Sequence, residues 1–207
     1  MIHSISFREV MLEDAELILQ WRTKGRITRF MQTDIAHDLD AQKQWISRCY
    51  DKENYYHWIL QFDDEPAGLI NIADYRRSKN VTSWGVYIGS DDWVGYGGFV
   101  PPYFHRWAFQ SLGVNEIKVE CFYNNLSVIR LALLHGYNFN PSEDRVLRKH
   151  GSEVLLVATS LTRNNWELHR RGNSSAAFPV SRWNCAPEHL RASTLRDEAV
   201  DVELPAK

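Results

Sequence analysis

The sequence predicts an α/β domain, a mixed central β-sheet flanked by helices in the order β-α-α-β-β-β-α-β-α-β. Three observations carry that expectation. Stretches of alternating polarity exchange with stretches of helical spacing. Three strands rich in aromatic and branched residues follow one another over connections that suit antiparallel neighbours. A glycine-rich loop then separates the last of them from a helix.

Residues 5–10 alternate apolar and polar side chains and form the first strand. Over 12–22, Leu12, Ala15, Ile18, Leu19 and Trp21 recur at helical spacing, with Glu13 and Asp14 where the helix dipole favours acids. Residues 25–37 are irregular or weakly helical, and 38–51 form a second helix with Asp38 as its acidic cap. Strands follow at 55–62, 67–75 and 81–88, the first two joined by the turn Asp63-Asp64-Glu65-Pro66. A helix runs from the glycine loop to about residue 112, then come a strand at 117–122, a helix at 127–135 and a last long strand at 153–161. Beyond Trp166 the period fades, so 1–166 is expected to be the domain and 167–207 a flexible tail, with one short helix near 187–196.

Composition narrows the function. A chain of 207 residues has room for one domain with a substantial core. Its formal charge of −2 gives no general reason to bind nucleic acid or anionic membrane. No apolar run approaches the roughly 20 residues that span a bilayer, and the N-terminus lacks signal-peptide character, so a cytoplasmic address is expected. Cys49, Cys121 and Cys185 are odd in number and far apart, which suggests neither a disulfide framework nor a metal site.

The chemistry concentrates in Gly89-Ser90-Asp91-Asp92-Trp93-Val94-Gly95-Tyr96-Gly97-Gly98. Glycine admits left-handed backbone angles and carries no Cβ, so successive N–H groups can converge on phosphate oxygens, aided by the dipole of the following helix. Asp92 is an unfavourable neighbour for such an anion, and Pro101-Pro102 falls in the first turns of that helix, where proline is tolerated only near the start.

With this loop, Leu112-Gly113-Val114-Asn115-Glu116-Ile117-Lys118-Val119-Glu120, Asn125, Gly136-Tyr137 and Ser160 to Trp166, the chain resembles the GNAT superfamily of N-acetyltransferases over about residues 5–166. The resemblance implies the GNAT fold and acetyl-CoA as co-substrate. It places the pyrophosphate on Gly95, Tyr96, Gly97 and Gly98, the pantetheine along Val86-Tyr87-Ile88, and a further contact at Asn125. Counting back from Trp107 sets the family's two loop glycines at Gly95 and Gly97; counting forward from Ile88 sets Tyr96 and Gly98 there instead, and the first frame satisfies both positions. The strand 86–88 is expected to splay from the strand after it, which frees its backbone to pair with amides as an added strand would.

Attack on a thioester needs a neutral amine, so a proton must be collected; Asp74, Glu120 and His57 are the candidates, with His105 more remote. The tyrosine that many relatives use to protonate the leaving thiolate is replaced by Ala132. A narrower resemblance rests on Trp21-Arg22, Arg29-Phe30-Met31, the 38–46 helix and Ser83 to Ile88. It is to nucleotide-sugar amine N-acetyltransferases acting on UDP-linked 4-amino-4,6-dideoxy sugars in pseudaminic acid biosynthesis. Trp21, Arg22, Arg29 and Met31 are its substrate-side residues, the guanidinium groups suiting a diphosphate. Acetylation of a protein N-terminus and a catalytically silent acyl-CoA-binding domain share the fold and stand as alternatives, the second motivated by Ala132 and Asp92. An exposed sheet edge suits a homodimer.

Overall fold

The computed structural model describes residues 2–170 and 174–190. β1 (Ile5–Glu9) leads through a 3₁₀ turn into α1 (Ala15–Arg22), the short α2 (Gly25–Thr28) and α3 (Leu39–Cys49). The Asp38 side chain accepts from the Ala41 N–H at 2.9 Å, the cap expected from its position. β2 (Tyr56–Phe62), β3 (Glu65–Arg76) and β4 (Val81–Ile88) form an antiparallel meander with β1. α4 (Pro101–Trp107) continues as a π-helical turn over Ala108–Leu112 and precedes β5 (Glu116–Phe122). α5 (Leu126–Leu134), β6 (Asn138–Phe139), β7 (Arg145–Lys149), β8 (Ser152–Thr162) and α6 (Arg163–His169) complete the described elements.

The sheet runs β1-β2-β3-β4-β5-β8-β6, with β7 also paired to β8. Every pairing is antiparallel except β4 with β5. Because side chains alternate across a strand, the two faces carry separate cores. Ile59 and Leu69 pack with Ile18, Trp21 and Ile46 of α1 and α3. Trp58, Leu60, Ile70 and Ile72 pack with Phe104, Trp107 and Phe109 on the other face.

The strand and helix order expected from the sequence is present, with additions. α2, β6, β7 and α6 are too short, or too polar on one side, for a periodic signal. The expected flexible tail is corrected over much of its length. Its boundary at 167 falls inside α6, and Phe178, Val180 and Trp183 are buried. Phe178 stacks on Phe7 with ring centroids 4.1 Å apart, and Trp58 Nε1 donates to Pro179 O at 2.7 Å. Glu9 accepts from the Arg182 N–H at 2.7 Å and from the Ser181 hydroxyl at 2.5 Å. The physical reason is that widely spaced single anchors can fill gaps beside a sheet without any period. Residues 188–190 of the expected short helix are helical; 191–196, and the tail to 207, lie outside the described residues.

Replacing Phe178 by Ala empties a packed site and is expected to lower unfolding free energy by about 3–5 kcal/mol in urea or guanidinium titration. A loss below about 1 kcal/mol would show that this segment is not part of the core.

Candidate active site

β4 and β5 are paired only at Val81↔Glu116, Thr82↔Ile117 and Ser83↔Lys118. Beyond Ser83 the strands part, as the sequence led us to expect for 86–88. A cleft of about 1500 Å³ opens along the parting, larger than a single small-molecule pocket and so able to take two substrates.

Backbone direction along β4 follows from its other neighbour. Gly89 N donates to Ala67 O at 2.8 Å, so Gly89 faces β3, and alternation turns Ile88 and Val86 the other way, into the gap. The Ile88 carbonyl itself accepts from Arg26 Nη1 at 2.7 Å. Side chains divide between the faces in the same alternation. Tyr87 packs with the α1/α3 core, and Trp84, Val86 and Ile88 pack with the α4 core. The parting therefore joins a chamber on one face of the sheet to a chamber on the other.

The glycine loop lies at the end of β4 on the α4 side. Gly95 has φ 98°, a left-handed conformation that glycine adopts without a Cβ clash, and caps a 3₁₀ turn over Tyr96–Phe99. Val94, Gly95 and Pro101 line the cleft. Tyr96 packs against Phe62, Trp93 and Phe99. A Cβ on Gly97 would meet Ile88 Cγ1 at 3.4 Å, an ordinary contact, so the space at this position does not itself demand glycine. Pro101 and Pro102 occupy the first two positions of α4, where a missing N–H breaks no helix bond. Asn125 sits at the start of α5, makes no side-chain cap bond, and lines the cleft.

Two cations distant along the chain fix the loop's corner. Arg26 donates to Ile88 O and, at 2.7 Å, to Gly89 O, while Lys24 donates to Gly89 O at 3.0 Å. Both also bind Asp91, whose carboxyl these hydrogen bonds hold below the usual range. Neither cation belongs to an interpretable pattern along the chain; only the fold carries them to the loop. A second close approach lies next to it. A Cβ on Gly89 would fall 2.1 Å from Trp21 Cδ2, so Trp21 is seated beneath the corner, buried, and is not among the cleft-lining residues.

The remaining substrate-side residues separate. Arg22 and Met31 line the α1/α3 chamber, whereas Arg29 is exposed and lies over the Phe30 ring at 4.7 Å. Arg22 Nη2 donates to Thr33 O at 2.9 Å, and its Nη1 is buried with no partner among the described residues. The Tyr87 hydroxyl is likewise buried and unpartnered. Burial pushes the Tyr55 and Tyr87 phenols above their ordinary range, so both are neutral donors facing this chamber.

The three proton-acceptor candidates are not brought together. Asp74 lines the cleft at φ 54°, in an irregular stretch where β3 slips against β4, and pairs with Arg76. Glu120 lines it from β5, bound by Arg145 with Gln32 alongside. His57 is fully buried between Trp45, Tyr55 and Trp183, both ring nitrogens without a hydrogen-bond partner among the described residues, and is absent from the lining. His105, treated as remote from sequence, does line the cleft. Its Nε2 is 2.9 Å from the Tyr137 hydroxyl, which also accepts from Trp84 Nε1 at 2.9 Å. Burial lowers the His105 pKa, keeping the ring neutral, and raises that of Tyr137.

Burial drives the His57 pKa down to about 3 from 6.5. Between those values the unfolded chain binds a proton that the folded chain does not, so His57's contribution is intact above about pH 6.5. It declines by up to about 1.4 kcal/mol per unit as pH falls toward 3. In His57→Phe, the fall in urea midpoint between pH 7 and pH 5 becomes shallower; an unchanged fall would mean that the ring titrates in water.

The chain is 23% identical over 131 residues to Acetyltransferase PseH of Campylobacter jejuni subsp. jejuni serotype O:23/36, covering 63% of this chain and 81% of that protein. Its fold matches the crystal structure of spermidine N-acetyltransferase from Vibrio cholerae in complex with CoA and spermine. There the TM-score is 0.72 at 11% identity, over 79% of this chain and 98% of that one. An uncharacterized protein (bh2621) from Bacillus halodurans matches with a TM-score of 0.64 at 16% identity, over 80% and 87% of the two chains. Residues 5–138 match the model of the family described as Acetyltransferase (GNAT) domain, and the chain belongs to that family of N-acetyltransferases.

Proposed function

We propose that this chain transfers the acetyl group of acetyl-CoA to the primary amine of a nucleotide-linked amino sugar. The co-substrate's pantetheine would lie along the gap-facing backbone of Val86 and Ile88. Its pyrophosphate would rest on the loop at Gly95, Tyr96, Gly97 and Gly98, with Asn125 beside it. Binding there would rest on backbone donors, since Lys24 and Arg26 are already committed to Asp91 and to carbonyl oxygens. An N–H facing the gap is also placed to stabilise the oxyanion as the amine attacks. The amine must arrive neutral, and Asp74 and Glu120 are the carboxylates facing the cleft that could accept its proton.

One observation carries the acceptor class. Arg22 bonds neutral oxygens only, at Thr33, and keeps one nitrogen unpartnered in the acceptor chamber. The carboxylates Asp74, Glu120 and Glu143 are matched by Arg76, Arg145 and Lys118. The Arg22 guanidinium is therefore the cation in this chamber without a carboxylate partner among the described residues, which suits a phosphate-bearing acceptor. Met31, Trp45 and Tyr87 supply apolar surface for a sugar or base, and the resemblance to pseudaminic acid N-acetyltransferases supports the same class.

Calorimetry with acetyl-CoA, followed by thiol release with a UDP-linked 4-amino-4,6-dideoxy sugar, spermidine and an N-terminal peptide, tests the reading. Turnover with the nucleotide sugar alone is expected. Turnover only with the peptide would favour protein N-terminal acetylation, and binding without turnover on any amine would favour a silent acyl-CoA-binding domain. Arg22→Gln should raise the KM for the nucleotide sugar about 10-fold or more, with acetyl-CoA affinity unchanged.

A further inference from the structure

Three side chains from three separate elements converge on one oxygen in the cleft wall. Trp84 is the first residue of β4 beyond its last pairing with β5, His105 comes from α4, and Tyr137 precedes β6. All three line the cleft, and both nitrogens lie 2.9 Å from the Tyr137 hydroxyl. Tyr137 N also donates to Ala132 O at 3.1 Å, which ties this tyrosine to the end of α5.

A phenol offers two lone pairs and one proton, and an indole N–H can only donate. Trp84 therefore fills one lone pair of the Tyr137 oxygen. Neutral His105 can fill the second as an Nε2–H donor, with its other nitrogen unprotonated. In that tautomer the oxygen is saturated as an acceptor, and the phenolic proton is left over at the cleft. Two donors on one oxygen also polarise its O–H bond and strengthen it as a donor.

We propose that Tyr137 is the hydrogen-bond donor to the departing thiol sulfur, with Trp84 and His105 as the positioning residues that hold its oxygen. The inference rests on the acetyl-CoA reading above. In the step itself the new C–N bond forms, the C–S bond breaks, and its electron pair stays on sulfur. Tyr137 keeps its proton and donates a hydrogen bond through Oη–H to that thiolate, while the proton shed by the amine reaches the sulfur through cleft water. Amine plus thioester gives amide plus thiol, so the proton count balances. Ala132, on the preceding helix, has no proton to give.

Tyr137→Phe keeps the buried ring and removes only the hydroxyl. It is expected to lower kcat about 100-fold while leaving acetyl-CoA affinity within about twofold. A second readout needs no turnover: the thiol of bound coenzyme A, followed by thiolate ultraviolet absorbance, should ionise about one pH unit higher in Tyr137→Phe. Trp84→Phe, which loses the indole N–H, should shift both readouts in the same direction by less. A folded Tyr137→Phe protein with unchanged thiol ionisation overturns the proposal, even with lowered kcat, because that pattern belongs to packing. If the wild-type protein acetylates no amine yet the thiol shift is seen, the transfer reading fails and the donor assignment stands. A wild-type protein that does not bind coenzyme A overturns both.

Discussion

The site depends on where parallel pairing stops. β4 and β5 share three residue pairs, and from Trp84 onward β4 is paired with a strand on one side only. Unpaired strand groups are costly when buried and are a ready template for another extended chain. Here they border a cleft that runs through the sheet, and on the proposed reading a thioester would reach from one chamber to an amine in the other. The connection between the two strands makes this arrangement affordable. It carries the glycine loop and α4 across one face, so that β4's far end is braced by helix packing where β5 no longer holds it.

Charge at the open end is handled by local compensation. Asp91 would oppose an anionic ligand at the loop, but Lys24 and Arg26 neutralise it and pin the corner to α2. Across the cleft, Gln32 and Asp34 are tied to β7 through Arg145, Lys149 and His150, which fixes the segment after α2 over the acceptor chamber. These exposed pairs are individually weak. Their joint effect is geometric, because they hold the two irregular segments that border the parted strands.

Much of this was legible in the sequence, and the limits have physical causes. Alternation and helical spacing located β1 to β5, β8 and the main helices; the signal is clearest in β2, β3, α1 and α3, which bury apolar residues at regular spacing. The left-handed Gly95 suits a glycine-rich stretch behind a strand, whereas the parting of 86–88 is expected from the family resemblance. β6 and β7 have no buried residue and leave no apolar pattern. Phe178 and Trp183 anchor the later segment through single contacts that no period records. The narrower resemblance made Trp21 a substrate-side residue, and the close approach to Gly89 places it beneath the loop corner instead. His57, on β2, faces the α3 side and is buried, while His105, on α4, faces the cleft; neither orientation could be read before the strands and helices were placed against one another.

Amide hydrogen exchange at β4, with and without acetyl-CoA, tests the central claim most directly. The N–H groups of Val86 and Ile88 face the gap, while Tyr87 lies opposite Leu69 in the ladder with β3. Added acetyl-CoA is predicted to slow exchange at Val86 and Ile88 and to leave Tyr87 nearly unchanged. Protection elsewhere in the chain with no change at those two amides would contradict the account.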